Sequence, residues 1–385
     1  MKFLAVRHLF SALAVGLTAT ALTAQPQSAG GPTKSSAANG SAKSVVVAEG
    51  LDHPWALAFL PGETGLRFLI TERSGRMRIV GVDGKVGTPL ANVPPVHAVN
   101  QGGLLDVVVS PNFGRDRTIY FSFAQAVSGG ARTAVASAQL TDNALENVKT
   151  VFAQADVVPG GHHFGSRIAI SRDGSLFITT GERYGEKDRS QSLESHLGKV
   201  IRVNADGSVP KDNPYVNHAS ARKEIWSYGH RNMQGAAIHP ATGRLWTHEH
   251  GPRGGDELNV TLPGKNYGWP VIGYGIDYSG LRMHDSTTKS GMEQPLHYWV
   301  PSIAPSGMAF YTADRFPQWR GSLFIGALAG QHLARLTLDG EKVIAEERLL
   351  LDRKERFRDV RQGPDGFVYV ITDEGSGKIL RVSPN

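Results

Sequence analysis

The sequence predicts an all-β fold, a six-bladed β-propeller of four-stranded antiparallel blades, and three observations carry that expectation. Six stretches repeat one template: a short apolar run, a Pro/Asp/Gly turn, then an alternating apolar run. The turns fall near residues 61, 111, 172, 240, 313 and 364, roughly 50 to 72 residues apart, near or above blade size. Strand signals dominate, and 45 Gly and 21 Pro supply turns between them. Six such units can close a ring, which removes exposed sheet edges.

The N-terminus stands apart from the repeats. Lys2 and Arg7 precede an apolar run from Leu9 to Leu17, and Ala19-Thr20-Ala21 and Ala24 offer small-residue cleavage sites. That is the pattern of a secretory signal peptide over residues 1–24, too short to span a bilayer. Residues 25–44 are rich in Ser, Gly and Ala and nearly free of large apolar groups, which predicts a flexible linker. The propeller is then expected over residues 45–385, a length that one repeat array can fill as a single domain.

The copies begin at Leu57, Val107, Ile168, Ala236, Met308 and Val360. Their strands read as RFLITER and MRIV, TIYFSF, SLFITTG, RLWTHEH, SLFIGAL and FVYVITD, each bounded by Gly, Asp or Pro. Helical periodicity is nearly absent; Asp188 to Leu197 admits a turn or two. Two segments, Leu197 to Lys223 and Gly251 to Gln294, are too long for hairpins, and long loops in compact domains carry function.

Composition narrows the chemistry. Without cysteine there is no disulfide scaffold, thiol catalysis, Cys-bound zinc, iron–sulfur cluster or lipidated Cys anchor. The net charge of +6 includes Lys2 and Arg7, and the remaining excess is dispersed, with no basic run of the kind that binds nucleic acid. A mild basic bias suits small anionic ligands, or serves solubility alone. No later segment is long and apolar enough for a membrane span.

Four segments carry candidate chemistry. HHFGSR places His162 and His163 at a blade entry; a histidine there can act as a base near neutral pH, or is an ordinary turn residue. GHRNMQG offers Arg231 as a planar fork and Asn232 as donor and acceptor, or a structural arginine. HEHGPRGGDELN with KNYGWP combines glycines with Glu249, Asp256 and Glu257, hard oxygen donors that suit calcium or form a solvated acidic loop. His248 and His250 alternate there, but no E-x-x-H spacing accompanies them. In RFRDVRQ, Arg356 and Arg358 share one strand face, so something anionic must lie between them. Glu355 or Asp359 could supply it, and so could a polycarboxylate ligand.

These segments resemble the soluble quinoprotein glucose and aldose sugar dehydrogenases, six-bladed propellers that use pyrroloquinoline quinone (PQQ) and calcium. The resemblance covers nearly all of residues 45–385. It is most specific in QGGLLDVVVSPNF, HLGKVIRVNADGSVPKDNP, GHRNMQG, EHGPRGGDELN with KNYGWP, and RFRDV with GPDG. EHGPRGGDE and YSG bring it closer to the aldose branch. It implies a periplasmic or secreted oxidoreductase that converts the anomeric hydroxyl of aldoses to lactones, with an acceptor other than NAD or oxygen, as a monomer or homodimer.

By the same resemblance His163 matches the base that takes the anomeric proton. Gln101, Arg231, Asn232, Arg356, Phe357 and Arg358 match the PQQ surroundings, with Tyr278 as a further wall residue. The carbonyls of Gly251 and Pro252 match ligands of the calcium at the quinone, and Glu257 and Tyr267 those of a further calcium. The chain departs from the pattern twice. His162 stands where the glucose enzymes have Asp, which bears on glucose preference. Ala329 stands where the family has a Lys at the quinone, and Gln331 or a backbone amide is then the candidate substitute. A non-catalytic sugar- or protein-binding propeller and a calcium-dependent propeller lactonase are the alternatives; paired arginines have no use in the second.

Overall fold

A computed structural model of the chain describes residues 32–62 and 65–385, together with Met1. The signal peptide expected over residues 1–24 and its cleavage sites fall almost wholly outside the described residues. Pro32–Asn385 forms one unit. Among the described residues no helix is long and apolar enough to cross a membrane.

Six sheets follow one another along the chain. Blade 1 holds Pro54–Leu60, Arg67–Glu72 and Arg76–Val80; blade 2 holds Leu104–Val109, Thr118–Val127, Gly130–Leu140 and Leu145–Ala153. Blade 3 holds Gly165–Ile170, Leu176–Thr180, Lys199–Val203 and Ile225–Tyr228, and blade 4 holds Met233–Ile238, Leu245–Glu249, Asp256–Thr261 and His297–Trp299. Blade 5 holds Pro305–Phe310, Leu323–Ala327, His332–Asp339 and Lys342–Leu349. Blade 6 holds Phe357–Gln362, Val368–Thr372 and Gly377–Pro384, completed by Ala42–Leu51 from the other end of the chain. The first strand of each blade packs on the first strand of the next, and the first strand of blade 6 meets that of blade 1, so the ring closes.

The blades are not uniformly four-stranded. Blade 1 has three strands, because the chain after Val80 carries Pro89, Pro94 and Pro95, which cannot donate to a ladder. Blades 4 and 5 each gain a short parallel strand, Thr33–Lys34 on His297–Trp299 and Ala38–Asn39 on Lys342–Leu349. Residues 32–44, where the sequence predicts a flexible linker, therefore carry paired strands. Their ladders need only backbone groups, which small residues supply as well as large ones. The expected turn in 188–197 is a 3-10 turn over Lys187–Gln191.

The core is divided into six layers, one at each blade-to-blade interface. Trp55, Leu69 and Met77 meet Leu104, Phe121 and Phe123 between blades 1 and 2. Leu57, Phe68 and Ile70 meet Tyr369, Ile371 and Ile379 between blades 6 and 1. Inner strands are thus covered on both faces, and all five residues of Leu176–Thr180 are buried. This is why such strands read as continuous apolar runs.

One irregularity recurs in every blade. The ladder between first and second strand slips near the start of the first strand, at Pro54/Ala56, Leu104/Val107, Gly165/Ile168, Met233/Gly235, Pro305/Met308 and Phe357/Asp359. A bulge leaves a residue unpaired and re-aims its side chain. The skipped residues include Trp55, Leu105, Asp106, Arg167, Gln234 and Arg358, and most of the central chemistry is built from them.

Candidate active site

A cavity of about 270 Å³ opens over the slipped positions. It is lined by Trp55, Leu105, Gln234 and Arg358 from the bulges, and by Arg73, Gln101, Asn232, His250, Arg356 and Asp373 around them. Arg358 donates to Asp373 Oδ2 (2.7 Å) and to Gln234 Oε1 (3.2 Å), and its buried Nε has no protein partner. Arg356 lies 3.7 Å from the same carboxylate oxygen. Burial opposes ionisation of Asp373, yet Arg358, with Arg73 and Arg356, holds it well below the usual carboxylate range. Three guanidiniums around one carboxylate leave a surplus of positive charge.

The anion between the paired arginines is thus Asp373, not Glu355 or Asp359. Glu355 pairs with Arg353 and Lys378, and Asp359 with Arg167 and Arg361. Phe357, between the two arginines, is fully buried in the layer between blades 5 and 6 and is not in the lining of this cavity. Tyr278 is 58 % exposed on the long loop of blade 4 and lies outside the cavity lining. The amide of Ala329 is taken by the Ile303 carbonyl (3.0 Å), and Gln331 is not in the lining; Arg73 is the extra cation there.

His163 is buried just behind the wall of this cavity: it is not itself in the lining, but its chain neighbour Phe164 and its partner Gln101 are. Its backbone N–H donates to Gln101 Oε1 (2.8 Å), and its Nδ1 is 3.1 Å from Glu182 Oε1. With Nδ1–H given to the carboxylate, the neutral ring keeps Nε2 as an acceptor. Burial lowers the pKa of His163 and Arg231 adds to this, while Glu182 opposes both. The lowered value agrees with a neutral base, but burial rather than like charge leads. His162, by contrast, is exposed.

A second, much smaller cavity of about 20 Å³ adjoins the first, and His250 lines both. All four candidate metal residues, Gly251, Pro252, Glu257 and Tyr267, line it, along with Glu249 and Arg231. Glu257 faces Glu249 across the ladder, and burial together with Glu249 raises its pKa well above the ordinary range. Such a carboxylate lacks a cation. Glu249 is already engaged by His230 Nδ1 (3.0 Å) and the Arg231 N–H. Asp256 is consumed by the N–H groups of Gly251, Ile303 and Ala304 and braces the Gly251 turn instead. The Tyr267 hydroxyl donates to the Val260 carbonyl (2.6 Å) and accepts from Leu262 N–H (2.8 Å), leaving its carbonyl for a cation. Arg231 donates to the carbonyls of His250 (3.1 Å) and Gly251 (2.9 Å), and its buried Nε has no protein partner.

Among the described residues no group of three or more His, Cys, Asp or Glu side chains is placed to hold a metal ion, at His248 and His250 or elsewhere. His250 Nε2 meets the Pro305 carbonyl (2.7 Å), and burial pushes its pKa down to about 3.

Glu182, Asp373 and Arg73 escaped the sequence reading. A signal for the acids existed. An acidic residue ends the second strand or follows it within two residues in four copies, ITER, ITTGER, WTHE and VITDE. Glu72, Glu182, Glu249 and Asp373 stand there, and each orients a basic side chain.

Comparison with known proteins gives the family. The pattern of the glucose/sorbosone dehydrogenase family matches residues 51–381. The aldose sugar dehydrogenase YliI of Escherichia coli (strain K12) is 46% identical over 344 residues, 88% of this chain and 92% of that protein. A crystal structure of a glucose dehydrogenase is 52% identical with a TM-score of 0.87, covering 89% of this chain and 100% of the other. The PQQ-bound aldose sugar dehydrogenase of Streptomyces coelicolor is 30% identical with a TM-score of 0.71, covering 89% and 98%.

Proposed function

Because the chain belongs to the glucose/sorbosone dehydrogenase family and is a sugar dehydrogenase of the PQQ-dependent type, we propose that it oxidises the anomeric hydroxyl of aldoses to lactones, with PQQ and calcium in the two adjoining cavities. The observation that carries this is the surplus of guanidinium charge around Asp373 facing about 270 Å³ of space, with His163, its pKa lowered by burial, held behind the cavity residues Gln101 and Phe164.

The residues fit both groups. PQQ has three carboxylates, and Arg73, Arg356 and Arg358 with Asn232 and Gln234 offer forks and amides to them. The unpartnered Nε atoms of Arg358 and Arg231 are donors awaiting an acceptor. Calcium prefers several oxygens in flexible geometry, which the Gly251 and Pro252 carbonyls, Glu257 and Tyr267 provide. When bound, calcium-polarised PQQ supplies the two-electron acceptor.

The chain itself handles the proton. Glu182 fixes the ring of His163, so Nε2 takes the proton of the anomeric hydroxyl. Gln101 holds the backbone of His163, and the Glu249 contacts hold His230 and Arg231, whose Nε lies 4.0 Å from the Glu182 oxygen that His163 bonds. The proposal extends to export: Lys2, Arg7 and the run Leu9–Leu17 have the pattern of a secretion signal.

Two outcomes test the cofactor assignment. Arg358→Ala should weaken PQQ binding by about 3 kcal/mol and the more exposed Arg356→Ala by about 1.5 kcal/mol, through loss of a charge-assisted bond. Equilibrium titration of PQQ measures both, and unchanged affinity in the two variants contradicts the clamp. Exhaustive chelation should abolish activity, with calcium restoring it better than magnesium. Full activity after metal analysis confirms removal would overturn the calcium role.

A further inference from the structure

Beside the base stands a side chain that neither the core nor the cofactor cavity uses. Tyr184 is 56 % exposed, yet its ring lies edge-on to that of His163 (5.4 Å between centroids) and 5.8 Å from that of His162. Its placement is enforced. Arg183 and Tyr184 both adopt left-handed backbone, with φ of 62° and 66°. Two successive side-chain-bearing residues rarely do so, and strain of this kind persists only where the surroundings over-determine it, commonly at ligand sites.

The surroundings are specific. Arg183 donates to the carbonyls of His162 (2.8 Å), Gly160 (2.7 Å) and Ala131 (2.6 Å), and its guanidinium lies 3.9 Å over the Phe164 ring. The N–H of Tyr184 donates to Glu182, the same carboxylate that orients His163. The turn that presents Tyr184 is therefore tied to the segment that presents the base.

We propose that Tyr184, flanked by His162, is the platform on which the C–H face of the aldose ring stacks while the anomeric hydroxyl reaches His163. A pyranose ring has a rim of hydroxyls and an apolar C–H face, and an aromatic face is the complement of the latter. Tyrosine offers that face with only two side-chain torsions to fix. The platform role rests on the dehydrogenase activity proposed above.

The test uses Tyr184→Ala and Tyr184→Phe in the PQQ- and calcium-loaded enzyme, with steady-state kinetics on an aldopyranose. Tyr184→Ala should raise KM about tenfold with kcat little changed, and Tyr184→Phe should stay close to wild type, since stacking needs the ring and not the hydroxyl. Saturation-transfer NMR of the same sugar on each protein gives a readout independent of turnover. Transfer to the ring C–H protons should persist in Tyr184→Phe and vanish in Tyr184→Ala. Unchanged KM and transfer in Tyr184→Ala overturn the platform and leave the dehydrogenase activity standing. A fall in kcat alone, or equal damage from Tyr184→Phe, overturns it in favour of a structural or hydroxyl role. Stacking lost in Tyr184→Ala, in a protein whose wild type turns over no aldose, supports the platform and overturns the dehydrogenase activity.

Discussion

Replacing His163 by alanine is expected to lower turnover by about two to four orders of magnitude, the usual worth of a positioned general base. PQQ affinity and the unfolding midpoint should stay near wild type, because the His163 side chain hydrogen-bonds only Glu182, while its backbone bonds to Gln101 and Arg183 survive the substitution. His162→Ala should cost much less and alter sugar preference, since His162 is exposed beside the base. The pH profile gives an independent check. Burial lowers the pKa of His163, so it stays unprotonated below the ordinary histidine value of about 6.5. The acid limb of kcat/KM should therefore lie below that value, with activity level above it. An acid limb at or above 6.5, or a turnover defect confined to His162→Ala, would assign the base elsewhere.

Asp106→Ala is expected to destabilise the fold by about 3–5 kcal/mol, the cost of breaking a buried ion pair from one side. Below the cavity, Asp106 and Asp359 alternate with Arg167 and Arg361 in a closed square of contacts at 3.1–3.2 Å. Asp106 also accepts the N–H of Ile168 (2.8 Å), Asp359 that of Leu57 (3.0 Å), and Arg167 donates to the carbonyls of Gln234 (2.7 Å) and Arg358 (3.1 Å). Five blades are joined through four side chains. Removing Asp106 leaves two guanidiniums for one carboxylate, with Arg167 and Asp359 fully buried. Asp106→Asn keeps an acceptor and should lose less. Denaturant unfolding measures both, and an unshifted midpoint in Asp106→Ala would show that the square adds nothing to stability.

Fold class and blade number were legible because turn residues and strand runs are local signals repeated along the chain. Local signals do not reveal a ladder slip, since a bulge depends on how a partner strand pairs. Thus Arg356 and Arg358 could be set on one face, but Asp373, fifteen residues after Arg358, could not be set between them. Over residues 32–44 the expectation of a flexible linker missed the paired strands for a related reason: composition reports what a segment can bury, not which free sheet edge lies within its reach. The candidate metal residues were found through resemblance, and burial of Glu257 beside Glu249 gives that assignment a physical basis.

The recurrent slip has a consequence for how this scaffold can change. At four of the slips the skipped side chain lines the cavity while the ladder runs past it, so identity there is uncoupled from sheet pairing. The ring thus works as a rack with four open sockets, filled here by such different residues as Trp55, Leu105, Gln234 and Arg358 on an unaltered frame. Swapping occupants one socket at a time, leaving out Asp106 and Arg167, is the route by which a new ligand could be accommodated with little disturbance to the blades.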